Sequence, residues 1–154
     1  MSRPFRVRRA IWAEDERALR AVREAVFVQE QSVPLELEWD GLDPDCLHVV
    51  AEDRALAPVG TGRLLPDGHI GRMAVLPPWR GRGVGTAILV ELMRAAAEQG
   101  LQEVALNAQT HAVAFYAQQG FVVEGAEFLD AGIAHRKMRR AMPAAGQPIG
   151  AAEG

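Results

Sequence analysis

The stretch from residue 70 to residue 100 constrains the fold most, because it joins a strand pattern to a helix pattern through a glycine-rich loop. The apolar run Met73, Ala74 and Val75 predicts a short buried strand, and two prolines at 77 and 78 end it because proline cannot donate to a β-ladder. Gly100 is the residue type expected just past a helix C-terminus. The apolar residues of the predicted helix recur at helical spacing: Val84, Ile88, Leu89, Leu92, Met93 and Ala96.

The loop between strand and helix, residues 80–86, holds three glycines and two arginines. A helix N-terminus offers amides without an intrahelical partner and the positive end of the helix dipole, and glycines let an anion approach that backbone closely. The loop lacks the lysine of a P-loop and the G-x-G-x-x-G spacing of a dinucleotide fingerprint. The sequence predicts a phosphate or diphosphate site, with a plain strand-to-helix turn as the alternative. Its candidate residues are Arg80, Gly81, Arg82, Gly83, Val84, Gly85 and Thr86.

Length and composition indicate one globular domain. The chain has 154 residues, of which 49% are hydrophobic and 24% charged, with a net charge of −3. We expect no nucleic-acid partner, because no basic surface is indicated, and no membrane span, because no apolar run reaches the required ~18 residues. The only cysteine, Cys46, allows no internal disulfide, so a cytoplasmic protein is expected. We predict a domain over residues 1–142 and a flexible tail over residues 143–154. A homodimer is a reasonable expectation, because two-fold dimers are the commonest oligomers.

Periodicity along the chain predicts the order β, α, α, then a three-strand meander, then α, β, α, β, β. Acidic residues 14–16 favour a helix start, and helical spacing continues to about Gln31. Thr110 is expected to cap a later helix that ends near Gln119, followed by Gly120. Adjacent strands with interspersed helices favour an α+β fold with a mixed sheet.

A second motif follows the strand predicted at residues 103–107. Together with the loop, it resembles the GNAT-type N-acetyltransferases, in which the loop binds the pyrophosphate of coenzyme A. Within that family the chain is similar to the ElaA-like branch of small bacterial acyltransferases. The residues that carry the resemblance are Arg80-x-x-Gly83-x-Gly85, Phe115-Tyr116 followed by Gly120-Phe121, the run from Val26 to Gln31, and the step Ala108-Gln109.

The resemblance implies a single-domain GNAT fold, with a mixed, mostly antiparallel central sheet flanked by helices and with splayed fourth and fifth strands. It implies acetyl-CoA as co-substrate and direct attack of a small-molecule primary amine on the thioester. Tyr116 would then protonate the departing thiolate, for which a phenol is suited. Besides the loop, the residues expected to bind the co-substrate are Met73, Ala74, Val75, Asn107, Gln109, Phe115 and Tyr116.

The general base and the acceptor site are sought in the N-terminal segment, because residues 71–74 contain no carboxylate where several family members keep one. Glu30 is the first candidate base. Glu36, Glu38, Asp40 and, more weakly, His48 follow it. The acidic residues from 36 to 45 lack metal-site spacing, so we expect no metal and a solvated acidic loop whose charge would favour a cationic amine. The residues expected to bind the acceptor are Phe27, Glu30, Gln31, Glu38 and His48.

Two other functions fit the same residues. A non-catalytic acyl-CoA-binding or sensing domain would use the loop without proton chemistry. An enzyme similar to the acyl-homoserine-lactone synthases is the second, because Val26-Phe27 followed by Trp39-Asp40 resembles that group. The intact pyrophosphate loop argues against the second, since enzymes that use an acyl carrier protein have less need of it.

Overall fold

The structure is a computed structural model that describes residues 4–143 and residue 149. The predicted tail over residues 143–154 lies almost entirely outside the described residues and stays a prediction. Among the described residues, no helix combines the length and the apolar character needed to cross a bilayer.

The order of strands and helices is the one that the sequence predicts. The strands are β1 (Phe5–Ala10), β2 (Leu47–Asp53), β3 (Pro58–Leu64), β4 (Ile70–Val75), β5 (Glu103–Gln109), β6 (Val122–Asp130) and β7 (Ile133–Ala141). The α-helices are α1 (Trp12–Arg23), α2 (Leu35–Glu38), α3 (Val84–Glu98) and α4 (Val113–Gln118). A π-helical segment, Glu24–Glu30, continues α1, and three short 3₁₀ turns lie at Asp43–Asp45, Pro77–Trp79 and Thr110–Ala112.

The strands form two antiparallel sheets, in the orders β1-β2-β3-β4 and β5-β7-β6. The two sheets meet where β4 begins beside β5, through a parallel bridge between His69 and Ala105. There the Ala105 amide donates to the Gly68 carbonyl over 3.1 Å. Within the described part of the chain, no other strand pairing joins β4 to β5, so the two strands separate beyond this point. This confirms the predicted α+β fold with splayed central strands.

A β-bulge in β4 accounts for the separation. Thr61 of β3 pairs with Ala74, whereas Arg63 pairs with Gly71, so β4 contains one extra residue between these pairs. Arg72 lies in the bulge and has φ 51°, an uncommon backbone conformation for a residue with a side chain. Because a bulge bends its strand and increases the local twist, β4 turns away from β5 after the bridge.

Helices cover both faces of the first sheet. The helical face predicted for α3 is entirely buried, and it packs against core residues such as Val49, Ala51 and Val59. The contact is close: a Cβ atom added to Gly60 would lie 2.9 Å from side-chain atoms of Val84 and of the next helical turn. On the other face, α1 and the π-helical segment pack their apolar side chains over Val50 and Ala74.

The helix ends agree with the sequence except at Thr110. Gly100 and Gly120 follow their helices with φ 78° and 93°, which confirms their role as terminating glycines. The Thr110 hydroxyl donates to Glu127 over 3.0 Å instead of capping α4, and α4 has no side-chain hydrogen bond at its N-cap. The prediction of a Thr110 cap is therefore wrong.

Candidate active site

The loop before α3 has the geometry of an anion cradle. Gly83 is the N-cap residue of α3 with φ 84°, Gly81 has φ 74°, and the N-cap makes no side-chain hydrogen bond. The first amides of the helix therefore lack both an intrahelical acceptor and a capping side chain. A Cβ atom added to either glycine would meet nothing within 4 Å, so the space beside this backbone is open. The guanidinium of Arg82 lies 5.0 Å from the centre of the Trp79 ring, which keeps positive charge at the loop.

Gly85 brings this loop against α4. A Cβ atom at Gly85 would lie 3.4 Å from the ring of Phe115 and 3.9 Å from the side chain of Val75. The missing side chain thus lets three elements meet: the first turn of α3, the end of β4 and the aromatic face of α4. The residue that follows Phe115 is Tyr116, so the phenol is carried on the same helical turn that contacts the loop.

Tyr116 is nearly buried, with 8% of its surface exposed. Its ring packs edge-on against Phe115 and Phe121, with centroid distances of 5.0 and 5.9 Å. Burial raises the pKa of Tyr116 to about 12, so the phenol is protonated throughout the physiological range. A protonated hydroxyl in this position is a proton donor and not a base.

The open edge of β4 precedes the loop in chain order, and the open edge of β5 precedes the helix that carries Tyr116. On β4, Met73 and Val75 are half-buried and Ala74 is buried. On β5, the side chain of Asn107 is exposed and that of Gln109 is half-buried. An extended ligand can add to such an unpaired strand edge through backbone hydrogen bonds.

Glu30 and Arg80 form a two-pronged ion pair at the end of β4. Nη2 and Nη1 of Arg80 donate to the two carboxylate oxygens of Glu30 over 2.6 and 2.7 Å, and Nε donates to the Val75 carbonyl over 2.9 Å. The hydrogen bonds from Arg80 lower the pKa of Glu30, and the charge of His111 contributes in the same direction. In this arrangement Glu30 is ionised and a weaker base than an unpaired glutamate.

The neighbouring residue Gln31 contacts the other splayed strand. Gln109 Nε2 donates to Gln31 Oε1 over 2.8 Å, and Gln31 Nε2 donates back over 3.3 Å. Glu30 and Gln31 thereby connect the end of the π-helical segment to the loop after β4 and to the end of β5. Phe27 lies one turn earlier and is half-buried against the small apolar cluster that includes Ala74.

Glu38 and His48 are both buried among protein groups. The Glu38 carboxylate has 3% exposure and accepts a hydrogen bond of 2.6 Å from Arg23 Nε, with Arg72 Nε at 3.2 Å. His48 is 1% exposed, its Nε2 lies 2.9 Å from the Asp43 carbonyl oxygen, and its ring stacks on Trp12. Both side chains are enclosed by protein partners, so these contacts do not support acceptor binding by Glu38 and His48, which stays a prediction.

Glu38 belongs to a charge cluster between α1, α2 and the first sheet, and His48 adjoins this cluster at Asp43. Arg63 bridges Asp40 and Asp43, and Arg23 reaches Asp43 over 2.7 Å. The guanidinium of Arg23 also lies 4.9 Å from the Trp39 ring. We define the charge cluster as Arg23, Glu38, Asp40, Asp43, Arg63 and Arg72.

The charge cluster corrects the expectation of a solvated acidic loop that attracts a cationic amine. Its three carboxylates face three guanidiniums, and Glu38 and Asp43 are buried. Burial raises the pKa of Glu38, against the effect of its arginine neighbours, and burial lowers the pKa of His48, which favours the neutral ring. Sequence patterns missed these contacts because the arginines lie 15 to 34 residues from their partners. Nothing in the spacing marks them as partners.

Within the described residues, no three His, Cys, Asp or Glu side chains come together as a metal site. Glu36 is exposed on α2, and the structure gives it no ion pair within the described part of the chain. Asp40 is engaged by Arg63 and Arg72. Of the candidate bases, Glu30 is therefore the one that the structure brings to the end of the splayed strands.

A family model described as the acetyltransferase (GNAT) domain matches residues 13–142. The chain belongs to the GNAT acetyltransferase family. A Bacillus subtilis (strain 168) relative, the uncharacterized N-acetyltransferase YjcF, is 44% identical over 139 residues, which cover 86% of this chain and 99% of the relative.

Solved GNAT structures agree with this assignment. An acyl-CoA N-acyltransferase from Pseudomonas aeruginosa is 33% identical with a TM-score of 0.78, and the match covers 89% of this chain and 99% of that one. Escherichia coli ElaA is 27% identical with the same TM-score of 0.78, over 88% of this chain and 99% of ElaA. The GNAT family supports acyl transfer from an acyl-CoA as the general activity.

Proposed function

We propose that the chain transfers the acetyl group of acetyl-CoA to the primary amine of a small molecule by direct attack. The observation that carries this proposal is the contact between Phe115 and Gly85. This contact places α4, which carries the buried and protonated phenol of Tyr116, against the open and uncapped N-terminus of α3. An anion cradle and a proton donor on adjoining turns are what thioester aminolysis needs from a protein.

The residues present fit the co-substrate. The amides and glycines of residues 81–86 would hold the diphosphate, with Arg80 and Arg82 adding positive charge. The unpaired edge of β4 at Met73, Ala74 and Val75 would bond the pantetheine amides. Asn107 and Gln109 would line the opposite strand.

Bound acetyl-CoA supplies an activated acyl group, whose carbonyl carbon the neutral amine attacks. A backbone amide of β4 next to the bulge would stabilise the negative charge that develops on the carbonyl oxygen. As the carbon–sulfur bond breaks, Tyr116 would give its proton to the thiolate. Glu30, acting through water, would remove the ammonium proton, and Phe27 and Gln31 would contact the acceptor.

A thiol-release assay tests the proposal. Purified protein is given acetyl-CoA and a panel of primary amines that differ in charge and apolar content, and free coenzyme A and N-acetylated product are both measured. The proposal expects equal amounts of thiol and product with at least one amine. Coenzyme A binding without turnover across the panel would favour a sensing domain, and turnover only with an acyl carrier protein as donor would favour the synthase-like alternative.

A further inference from the structure

We propose that Arg80 is shared between Glu30 and the diphosphate of the co-substrate, so that binding of the acyl donor releases the Glu30 carboxylate for the acceptor amine. This inference rests on the proposed function and assigns a positioning role to Arg80 within the same site. It predicts an order of events, in which the base becomes available only after the donor is in place.

The hydrogen bonds of Arg80 show why the sharing is competitive. Arg80 Nε donates a hydrogen bond to the Val75 carbonyl, and Nη1 and Nη2 each donate one hydrogen bond to Glu30. The planar fork that grips Glu30 is also the geometry that binds phosphate oxygens. Arg80 directly precedes the open amides of residues 81–86. An anion held there and the Glu30 carboxylate would therefore compete for hydrogen bonds from the same guanidinium.

Because Arg80 and Glu30 are both partly exposed, replacing their ion pair by a contact between Arg80 and the diphosphate costs little free energy. The side chains of Arg80 and Glu30 are 43% and 39% exposed, and an ion pair between exposed side chains contributes little free energy. Breaking it would weaken co-substrate binding by no more than about fivefold.

The release changes the chemistry of Glu30. Two basic groups act on this carboxylate: Arg80 from the loop and, when it carries a proton, His111 from the turn before α4, and both favour the ionised form of Glu30. When Arg80 turns to the diphosphate, Glu30 loses its two hydrogen bonds and gains an anion as a neighbour. Both changes make it a stronger base, because each disfavours the ionised carboxylate.

The experiment measures the affinity of coenzyme A itself, by isothermal titration calorimetry at pH 7.5 and without an acceptor. E30Q removes the competing carboxylate and keeps the side-chain shape. E16Q is the matched control, because Glu16 pairs with Arg20 on α1 at a similar exposure of 46% and 41%. The same Glu30 substitution is repeated in an R80Q background.

We expect E30Q to bind coenzyme A about two- to fivefold more tightly than the wild type and E16Q to match the wild type. The gain from E30Q should shrink at 0.5 M salt and fall below twofold in the R80Q background. Equal or weaker binding by E30Q, or the same gain with and without Arg80, would overturn the sharing of Arg80 but leave the proposed function standing. A wild type that does not bind coenzyme A would overturn both.

Discussion

Gln31 and Gln109 exchange two hydrogen bonds, of 2.8 and 3.3 Å, across 78 residues of chain. The pair joins the end of the π-helical segment to the end of β5. With the Glu30–Arg80 pair beside it, it connects the two splayed strands through a single short segment. Side chains of residues 30 and 31 thus contact both sides of the opening between the strands.

The amide pair should show energetic coupling. Gln31→Ala and Gln109→Ala should each lower the free energy of unfolding by about 1 kcal/mol, because each leaves a half-buried amide without its partner. The double variant should lose little more than either single one. Urea unfolding measures all three, with the exposed Gln102→Ala as control. Additive losses would contradict the coupling.

The charge cluster should be far more sensitive than surface ion pairs. Arg23→Met removes a guanidinium with 1% exposure and leaves Glu38 and Asp43 buried without it. We expect a loss of about 3–5 kcal/mol in the free energy of unfolding. Arg94→Met is the control, since Arg94 is 61% exposed and pairs loosely with Glu91 at 3.6 Å; it should cost less than about 0.5 kcal/mol. A loss below about 1 kcal/mol for Arg23→Met would contradict the role of the cluster.

The stability of the protein at acidic pH should depend on the ionisation of Asp40. Burial opposes its ionisation, but the hydrogen bonds from Arg63 and from the Leu42 amide lower the pKa of Asp40 to about 2, from an ordinary 3.8. A carboxyl with a lowered pKa in the folded state stabilises the protein above its ordinary pKa, and that contribution is lost as the pH falls from about 4 to 2.

Asp40→Asn should therefore be less stable than the wild type at pH 7, by about 1 kcal/mol once solvent screening of this partly exposed side chain is considered. The two proteins should become equally stable below about pH 2, where Asp40 is protonated in the folded state as well. Chemical unfolding at several pH values measures the difference, which isolates Asp40 from other carboxylates. A difference that does not change with pH would contradict the assignment.

Local sequence signals were sufficient for the fold and for the positions of the elements that carry the candidate co-substrate site. The glycines of residues 81–85, the buried face of α3 and the aromatic pair before Gly120 are each defined within one short stretch, so spacing reveals them. The charge cluster is different, because it joins α1, α2, β3 and β4 through ion pairs between distant residues. No sequence pattern indicates the bulge at Arg72 either, because the residue with positive φ is an arginine and not a glycine.

The Glu30–Arg80 ion pair is likewise a contact between distant residues that spacing does not reveal. Its members are 50 residues apart, and each was predicted to act on a ligand and not on the other. The acidic residues near 40 suggested solvent exposure because their arginine partners could not be read from spacing. The side-chain contacts around the candidate acceptor side are therefore set by tertiary packing, which residue spacing does not reveal.

Turnover and coenzyme A affinity of Tyr116→Phe, measured on the same preparation, test the central claim most directly. Removing the one hydroxyl oxygen leaves the aromatic packing against Phe115 and Phe121 in place. The account predicts that kcat falls about a hundredfold or more while the Kd for coenzyme A stays within twofold of the wild-type value. Unchanged kcat with intact binding would contradict the assignment of Tyr116 as the proton donor to the departing thiolate.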